Sequence, residues 1–263
     1  MHSLPVYDLN GEEKKRISLP GGFSEKVMPD LIRKAFLAEK SKERQPYGSD
    51  PLAGHRSSAH YHGRRGIRNS MMNREMARMK RIHEQGFLNM TARVVPQAVK
   101  GRRAHPPKVE KNWELKINKK ERRKAMNSAL AAMLDRDLVS KRGHRISGIK
   151  HVPLVIEDGF QKLVRTKDVV ELLKKFGFDD EIKRCEKRKV RSGKGKARGR
   201  KYRVKRGPLV VIGKDEGVGK ALENVQGVDV VLPKDLNVSL LAPGSHPGRL
   251  AIFTESAVKE MGS

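Results

Sequence analysis

Pro208-Leu209-Val210-Val211-Ile212-Gly213-Lys214-Asp215-Glu216-Gly217-Val218-Gly219-Lys220-Ala221-Leu222 is the passage that decides the fold class. Four consecutive apolar residues, Leu209 to Ile212, read as a strand covered on both faces, the pattern of a parallel strand. Glycines break the run, and a short helix is expected near 217–223. The neighbouring sequence repeats the alternation. Val152 to Ile156 reads as a strand. Thr166 caps a helix with Val169, Val170, Leu172, Leu173 and Phe176 inward, and Gly177 ends it. A strand at Val228 to Leu232, a short helix near 235–241, a last strand at Leu250 to Phe253 and a final helix capped by Thr254 complete the series. Alternating strands and helices imply an α/β fold, a mostly parallel sheet with helices on both faces.

The amino-terminal half contributes less regular signals. Val6 to Leu9 and Arg16 to Leu19 are weak strands, joined as a hairpin around Asn10-Gly11. Asp30 to Lys40 reads as a helix with Leu31, Ile32, Ala35, Phe36 and Ala38 on one side. The clearest helix spans Lys119 to Leu138. Asn118 is a good N-cap and Glu121 stands three residues on, a capping-box arrangement.

An α/β sheet suits many enzymes, so the same passage must be read for chemistry. Gly213 to Ala221 is not a P-loop. Five residues, not four, precede the Gly219-Lys220 pair, and Ala221 stands where magnesium binding needs Ser or Thr. Gly193-Lys194-Gly195 lacks the preceding strand of a dinucleotide fingerprint. No nucleophile elbow or Ser/His/Asp pattern is visible. The sequence therefore indicates no catalytic residue and no cofactor.

Charge carries more information. The 263 residues hold a net charge of +28, which destabilises a compact chain unless a polyanion lies beside it. From Glu43 to Val109 there are fourteen Lys/Arg against four Asp/Glu, and from Lys183 to Arg206 fourteen against one. These two segments carry most of the excess. The sequence thus divides into a near-neutral body, 1–42 and 110–263, holding a basic inner segment, 183–206, and a long basic loop, 43–109. The loop is rich in Gly, Pro, His, Arg and Ser. It is expected to lack order alone and to gain it on a partner. Only Met71 to Ile82 hints at a short basic helix. In the second segment glycines allow close backbone approach to phosphates, which Lys and Arg neutralise.

A membrane partner is disfavoured, because no stretch approaches the roughly 20 apolar residues of a span. The single cysteine, Cys185, excludes a disulfide framework and suits a reducing cytosol. It reads as an ordinary helix residue. His55, His60 and His62 raise the question of a metal. No fourth ligand is evident, and in a basic loop histidines more often meet bases or phosphates. No metal site is expected on this reading. Trp113 reads as a packing residue anchoring the end of the loop.

Four passages carry a resemblance. They are Gln45-Pro-Tyr-Gly-Ser-Asp-Pro-Leu-Ala-Gly54, Val95-Pro-Gln-Ala-Val-Lys-Gly-Arg-Arg-Ala-His-Pro-Pro-Lys108, Gly195-Lys-Ala-Arg-Gly-Arg-Lys-Tyr202 and Leu241-Ala-Pro-Gly-Ser-His-Pro-Gly-Arg-Leu-Ala-Ile-Phe-Thr-Glu-Ser-Ala257. Nearly the whole chain resembles the universal large-subunit ribosomal protein number four family, in its archaeal form. The resemblance implies a cytoplasmic, ribosomal protein with an α/β body and a long internal loop that penetrates rRNA. Its loop tip, here near Arg64 to Arg81, would line the nascent-peptide exit tunnel, facing the ribosomal protein numbered twenty-two. Large-subunit rRNA, neighbouring ribosomal proteins and the nascent peptide are the implied partners.

The residues expected to contact rRNA are Arg56, His60, Arg64, Arg65, Arg68, Arg93, Lys100, Arg102, Arg103 and Lys108 in the loop. Arg191, Lys194, Lys196, Arg198, Arg200 and Lys201 form a second group. Two rivals stand beside this reading. An RNA-modifying enzyme needs a pocket on the sheet, for which there is no sequence signal. An architectural DNA binder fits less well, because long Gly/Pro-rich loops suit folded RNA with cavities better than a regular duplex.

Overall fold

Side chains alternate across a strand, so a strand buried along its whole length needs a layer on each side. That requirement organises the first of two compact units into which the chain divides, Met1–Glu43 with Glu114–Ser263. The second unit is Arg44–Trp113. The computed structural model describes residues 2–262.

The strands of the first unit are β1 (Ser3–Tyr7), β2 (Glu13–Ser18), β3 (Leu154–Ile156), β4 (Lys189–Val190), β5 (Tyr202–Arg203), β6 (Leu209–Val211), β7 (Asp229–Val231) and β8 (Ala251–Thr254). Its helices are α1 (Pro29–Lys42), α2 (Lys119–Ala131), α3 (Arg136–Lys141), α4 (Thr166–Lys175), α5 (Asp179–Glu186), α6 (Val218–Glu223), α7 (Val238–Leu241) and α8 (Glu255–Gly262). Six strands form one sheet in the order β2-β1-β3-β8-β6-β7. All its pairings are parallel except β1 with β2, which close a hairpin at one edge. This is the mixed, mostly parallel α/β sheet that the alternating sequence implied.

The inner strands of the sheet split their side chains between two cores. Tyr7, Leu154, Ile156, Val210 and Ile252 enter one, with Val169, Leu172 and Leu173 of α4, Ile182 of α5 and Ala221 and Leu222 of α6. Leu4, Val6, Val155, Leu209, Val211 and Phe253 enter the other, with Ile32 and Ala35 of α1, Ala125 and Ala129 of α2, and Ala257 and Val258 of α8. Helices therefore cover both faces.

Local differences from the sequence reading have physical causes. The helix expected from Lys119 to Leu138 ends at Ala131. Asp135 then accepts the backbone N–H groups of Asp137 and Leu138, at 2.9 and 3.3 Å, and starts α3. An exposed N-cap just after an apolar run therefore starts a second helix where the first has stopped. Thr166 is the first residue of α4 and caps nothing; Arg165 holds that position. Thr254 ends β8, and its hydroxyl accepts the Gly213 N–H at 3.1 Å. It secures the turn after β6, not a helix start. Gly177 does follow the end of α4. Its φ is +82°, and an added Cβ would lie 2.2 Å from the Gly148 carbonyl oxygen, so any side chain there collides with backbone.

The second unit is built from turns. Met71 and Ile82 are buried in it, but the residues between them form no helix. Instead Arg81 makes antiparallel bridges to His60 on one side and Ala92 on the other. Its guanidinium donates to the Met90 and Ala77 carbonyls at 2.8 and 2.9 Å. Near its ends the unit is zipped. Ser49 N–H donates to Pro107 O at 3.1 Å. Gly54 packs so closely on Arg102 that a Cβ would lie 2.5 Å from its Cα. Tyr47 stacks on Trp113 with centroids 5.4 Å apart, and Arg44 and Lys111 lie over the indole.

One fully buried cation holds three elements of the first unit. Arg249 donates to the Gly207 carbonyl at 3.0 Å, to the Leu240 carbonyl at 2.8 Å and to the Asp229 carboxylate at 2.5 Å. Arg249→Met keeps apolar bulk but strands those acceptors. It should lower unfolding stability by about 3 kcal/mol, read as a fall in the urea midpoint at unchanged slope.

Candidate nucleic-acid interface

The basic segment 183–206 runs from the end of α5 into a hairpin. β4 and β5 pair Lys189 with Arg203 and Val190 with Tyr202, and Arg191 N–H donates to the Lys201 carbonyl at 2.8 Å. Between them the tip turns on Gly193 and Gly199, with φ of +78° and +76°. Such values are open to glycine and strained for other residues. Arg191, Lys194, Lys196, Arg198, Arg200 and Lys201 are all carried on this tip, and all six are exposed. Among the described residues, no carboxylate is paired with any of them. Their polar contacts run to backbone carbonyls, as from Arg191 Nε to Arg200 O at 3.1 Å.

In the second unit Arg56, His60, Arg64, Arg65, Arg68, Arg93, Lys100, Arg102, Arg103 and Lys108 lie at the surface, Arg93 and Arg102 half-buried there. Two are engaged by acids: Arg56 pairs with Asp50, and Arg68 with Glu84 at 3.2 Å. Arg93 donates to the Ala92 and Val99 carbonyls and so serves its own turn. The rest present charge to solvent, which is costly in aggregate without an anion.

The structure also assembles a basic surface that sequence reasoning missed. A cleft of about 790 Å³ is lined by Lys141 and Arg142 near the end of α3, Arg184 and Lys187 of the α5 end, and Lys189, Arg203, Lys205 and Arg206 at the hairpin base. No carboxylate lines it. Burial, then the charges of Arg249 and Arg184, push the Arg142 guanidinium down to about 10. Arg142 is fixed by donating to the His246 and Pro243 carbonyls. Residues about a hundred apart in sequence meet here, and no local pattern marks them.

One wall of the cleft is held from below by a buried carboxylate. Glu181 accepts from His144 Nδ1 at 2.6 Å, from Arg184 at 2.6 and 2.8 Å and from the Arg145 N–H at 3.0 Å. Burial alone would push its pKa up. The bonds from Arg184 and His144 outweigh that and hold it at about 2. His144 shifts down, because burial disfavours its charged form more than Glu181 favours it. The network aims Arg184, whose guanidinium also donates to the Arg206 carbonyl at 2.7 Å.

The enzyme-like turn after β6 is closed to phosphate. Gly213 N–H is taken by Thr254, Lys214 N–H by Gln161, and the Gly217 and Gly219 N–H groups by Asp215, at 2.9–3.1 Å. Burial, then the Glu181 charge, push the Cys185 thiol up to about 11, so it is no ready nucleophile. His60 and His62 come together with His83, which the sequence reading overlooked; His55 stays apart. Only long-range pairing through Arg81 could have revealed that group.

An α/β body carrying clustered cations that described carboxylates leave unneutralised fits the class of ribosomal structural proteins. Residues 17–263 match the model of the Ribosomal protein L4/L1 family, and the chain belongs to that family. It is 43% identical to the large ribosomal subunit protein uL4 of Methanosphaera stadtmanae, over 100% of this chain and 97% of that protein. It is 46% identical to uL4 of Archaeoglobus fulgidus over 98% and 97%. Against uL4 of Methanocaldococcus jannaschii the identity is 47%, over 97% and 96%. No helix among the described residues is long and apolar enough to cross a membrane.

Both depressed groups link stability to pH with the same sign. The unfolded chain binds protons at Glu181 and His144 that the folded chain refuses, so stability falls with pH. The decline should begin as pH drops below the ordinary histidine value of 6.5 and steepen between 4.5 and about 2. Urea midpoints against pH check this, and Glu181→Gln should flatten the lower limb.

Proposed function

We propose that the chain is a structural constituent of the large ribosomal subunit that binds large-subunit rRNA through two cationic extensions and so supports subunit assembly in the cytoplasm. The observation that carries this is the set of cations on the 191–201 tip, which no described carboxylate neutralises. Phosphates supply the missing counter-charge, with release of condensed ions as the driving term. The basic cleft at the hairpin base adds a third contact surface continuous with the tip.

The resemblance of residues 45–54 and 95–108 to the family supports the finer part of the reading. Segment 43–109 enters rRNA as a loop, and its tip, near Arg64 to Arg81, lines the nascent-peptide exit tunnel opposite the ribosomal protein numbered twenty-two. On this reading Arg56, Arg64, Arg65, Arg68, Arg93, Lys100, Arg102, Arg103 and Lys108 meet phosphates where rRNA helices converge. The partners are rRNA, neighbouring ribosomal proteins and the nascent peptide.

A salt series tests the reading. Full-length protein, a 47–107 deletion closed by a short Gly/Ser bridge, and a Lys194/Lys196/Arg198/Arg200→Ala variant are titrated with large-subunit rRNA. Each lost phosphate contact should reduce the log–log salt slope by about 0.7–0.9, so the quadruple variant loses about three units if all four cations are bound. Equal slopes for all three proteins would show that the extensions are not the RNA contacts. Tighter binding to duplex DNA than to rRNA would favour the architectural DNA reading.

A further inference from the structure

The second unit has little apolar core, yet three imidazoles converge in it, His62 and His83 half-buried and His60 exposed. The ring centroids of His60, His62 and His83 are 4.4, 4.7 and 4.8 Å apart. One nitrogen from each lies within 4.8 Å of the other two. The Arg81 bridge to His60 brings the 60–62 limb beside His83.

The hydrogen bonds fix which nitrogens are free. His60 Nδ1 lies 2.9 Å from the Ser58 carbonyl oxygen, and His62 Nδ1 lies 3.0 Å from that of Arg68. A carbonyl oxygen only accepts, so each Nδ1 carries the proton and donates. Each neutral ring then keeps its lone pair on Nε2. That is the outer arrangement seen around metal-bound histidine, where a backbone carbonyl orients the ring and raises its basicity. His83 differs. Both its ring nitrogens are buried and neither has a hydrogen-bond partner. A buried polar group without a partner calls for one.

We infer that His60, His62 and His83 form a binding site for a divalent transition ion of the zinc type, with water in the fourth position in the isolated chain. Imidazole nitrogens suit zinc. A tetrahedral ion with bonds near 2.0–2.1 Å places its ligand atoms about 3.3 Å apart, so the rings close by an ångström or so through side-chain rotation. Among the described residues no carboxylate or thiol joins the three. Nearby Glu84 is held by Arg68 at 3.2 Å. The ion would tie the limb at 60–62 to the segment at 81–83, in a unit where few apolar side chains do that work. The inference is independent of the rRNA reading, although it gives His60 a different partner.

The test uses the untagged full-length chain, loaded with Zn²⁺ and freed of excess by gel filtration. About one zinc per chain should remain, and Co²⁺ in its place should give the intense visible bands of a tetrahedral site. His83→Ala and His62→Ala should reduce zinc retention to background, and His55→Ala should leave it unchanged. Because an alanine variant could lose zinc by unfolding, His83→Cys supplies a gain of signal. Its Co²⁺ form should show a thiolate-to-metal charge-transfer band that the parent lacks. No zinc on the parent chain, equal loss from His55→Ala, or a His83→Cys variant that takes up Co²⁺ without that band would each overturn the site.

Discussion

Positive charge is the constraint that everything else in this protein answers to. With 58 Lys and Arg against 30 Asp and Glu, carboxylates cannot neutralise the chain, so their placement decides what folds. They are concentrated where the body must close. Glu181 anchors α5 to the segment after α3. Asp229 receives Arg249 and Arg206. Glu255 receives Lys15 and Lys259, and Glu39 accepts the first N–H groups of α7. The hairpin tip from Arg191 to Lys201 contains no acid at all. The same scarcity that leaves the tip unneutralised makes each buried acid of the body hard to replace.

The parallel sheet makes this division possible. Its two apolar cores need no charge, so the cations are displaced to turns, ends and insertions. The basic cleft is an instance. Arg142 and Arg184 sit at the margin of a core, fixed by carbonyls and by Glu181, and they face outward together with the base of the hairpin. Rigid support beneath and clustered positive charge above suit recognition of a phosphate backbone, which asks for position more than for base-specific contact.

Legibility in the sequence followed the range of the interaction. Leu209 to Ile212 needed only its own apolar continuity to reveal a covered strand, and the cationic tip needed only composition and glycine. Elements set by short-range competition were harder. The run Ala129 to Leu134 looked helical throughout, and the Asp135 cap that ends the pattern carried a weaker signal than the apolar residues before it. Thr166 and Thr254 looked like caps, yet one begins a helix and the other braces a turn across the sheet. Wholly non-local groupings left no trace. His83 lies twenty-one residues beyond His62, and Lys141, Arg203 and His246, far apart in sequence, line one cleft.

The outer strand of the hairpin at one sheet edge, β2, reads Glu13-Lys14-Lys15-Arg16-Ile17-Ser18 and is almost wholly exposed. An uncovered strand is a template for a second chain to pair with. Three adjacent cations on this one oppose that pairing, because an approaching copy would bring the same charges into register. The strand most open to fibre-like stacking thus carries its own deterrent to it.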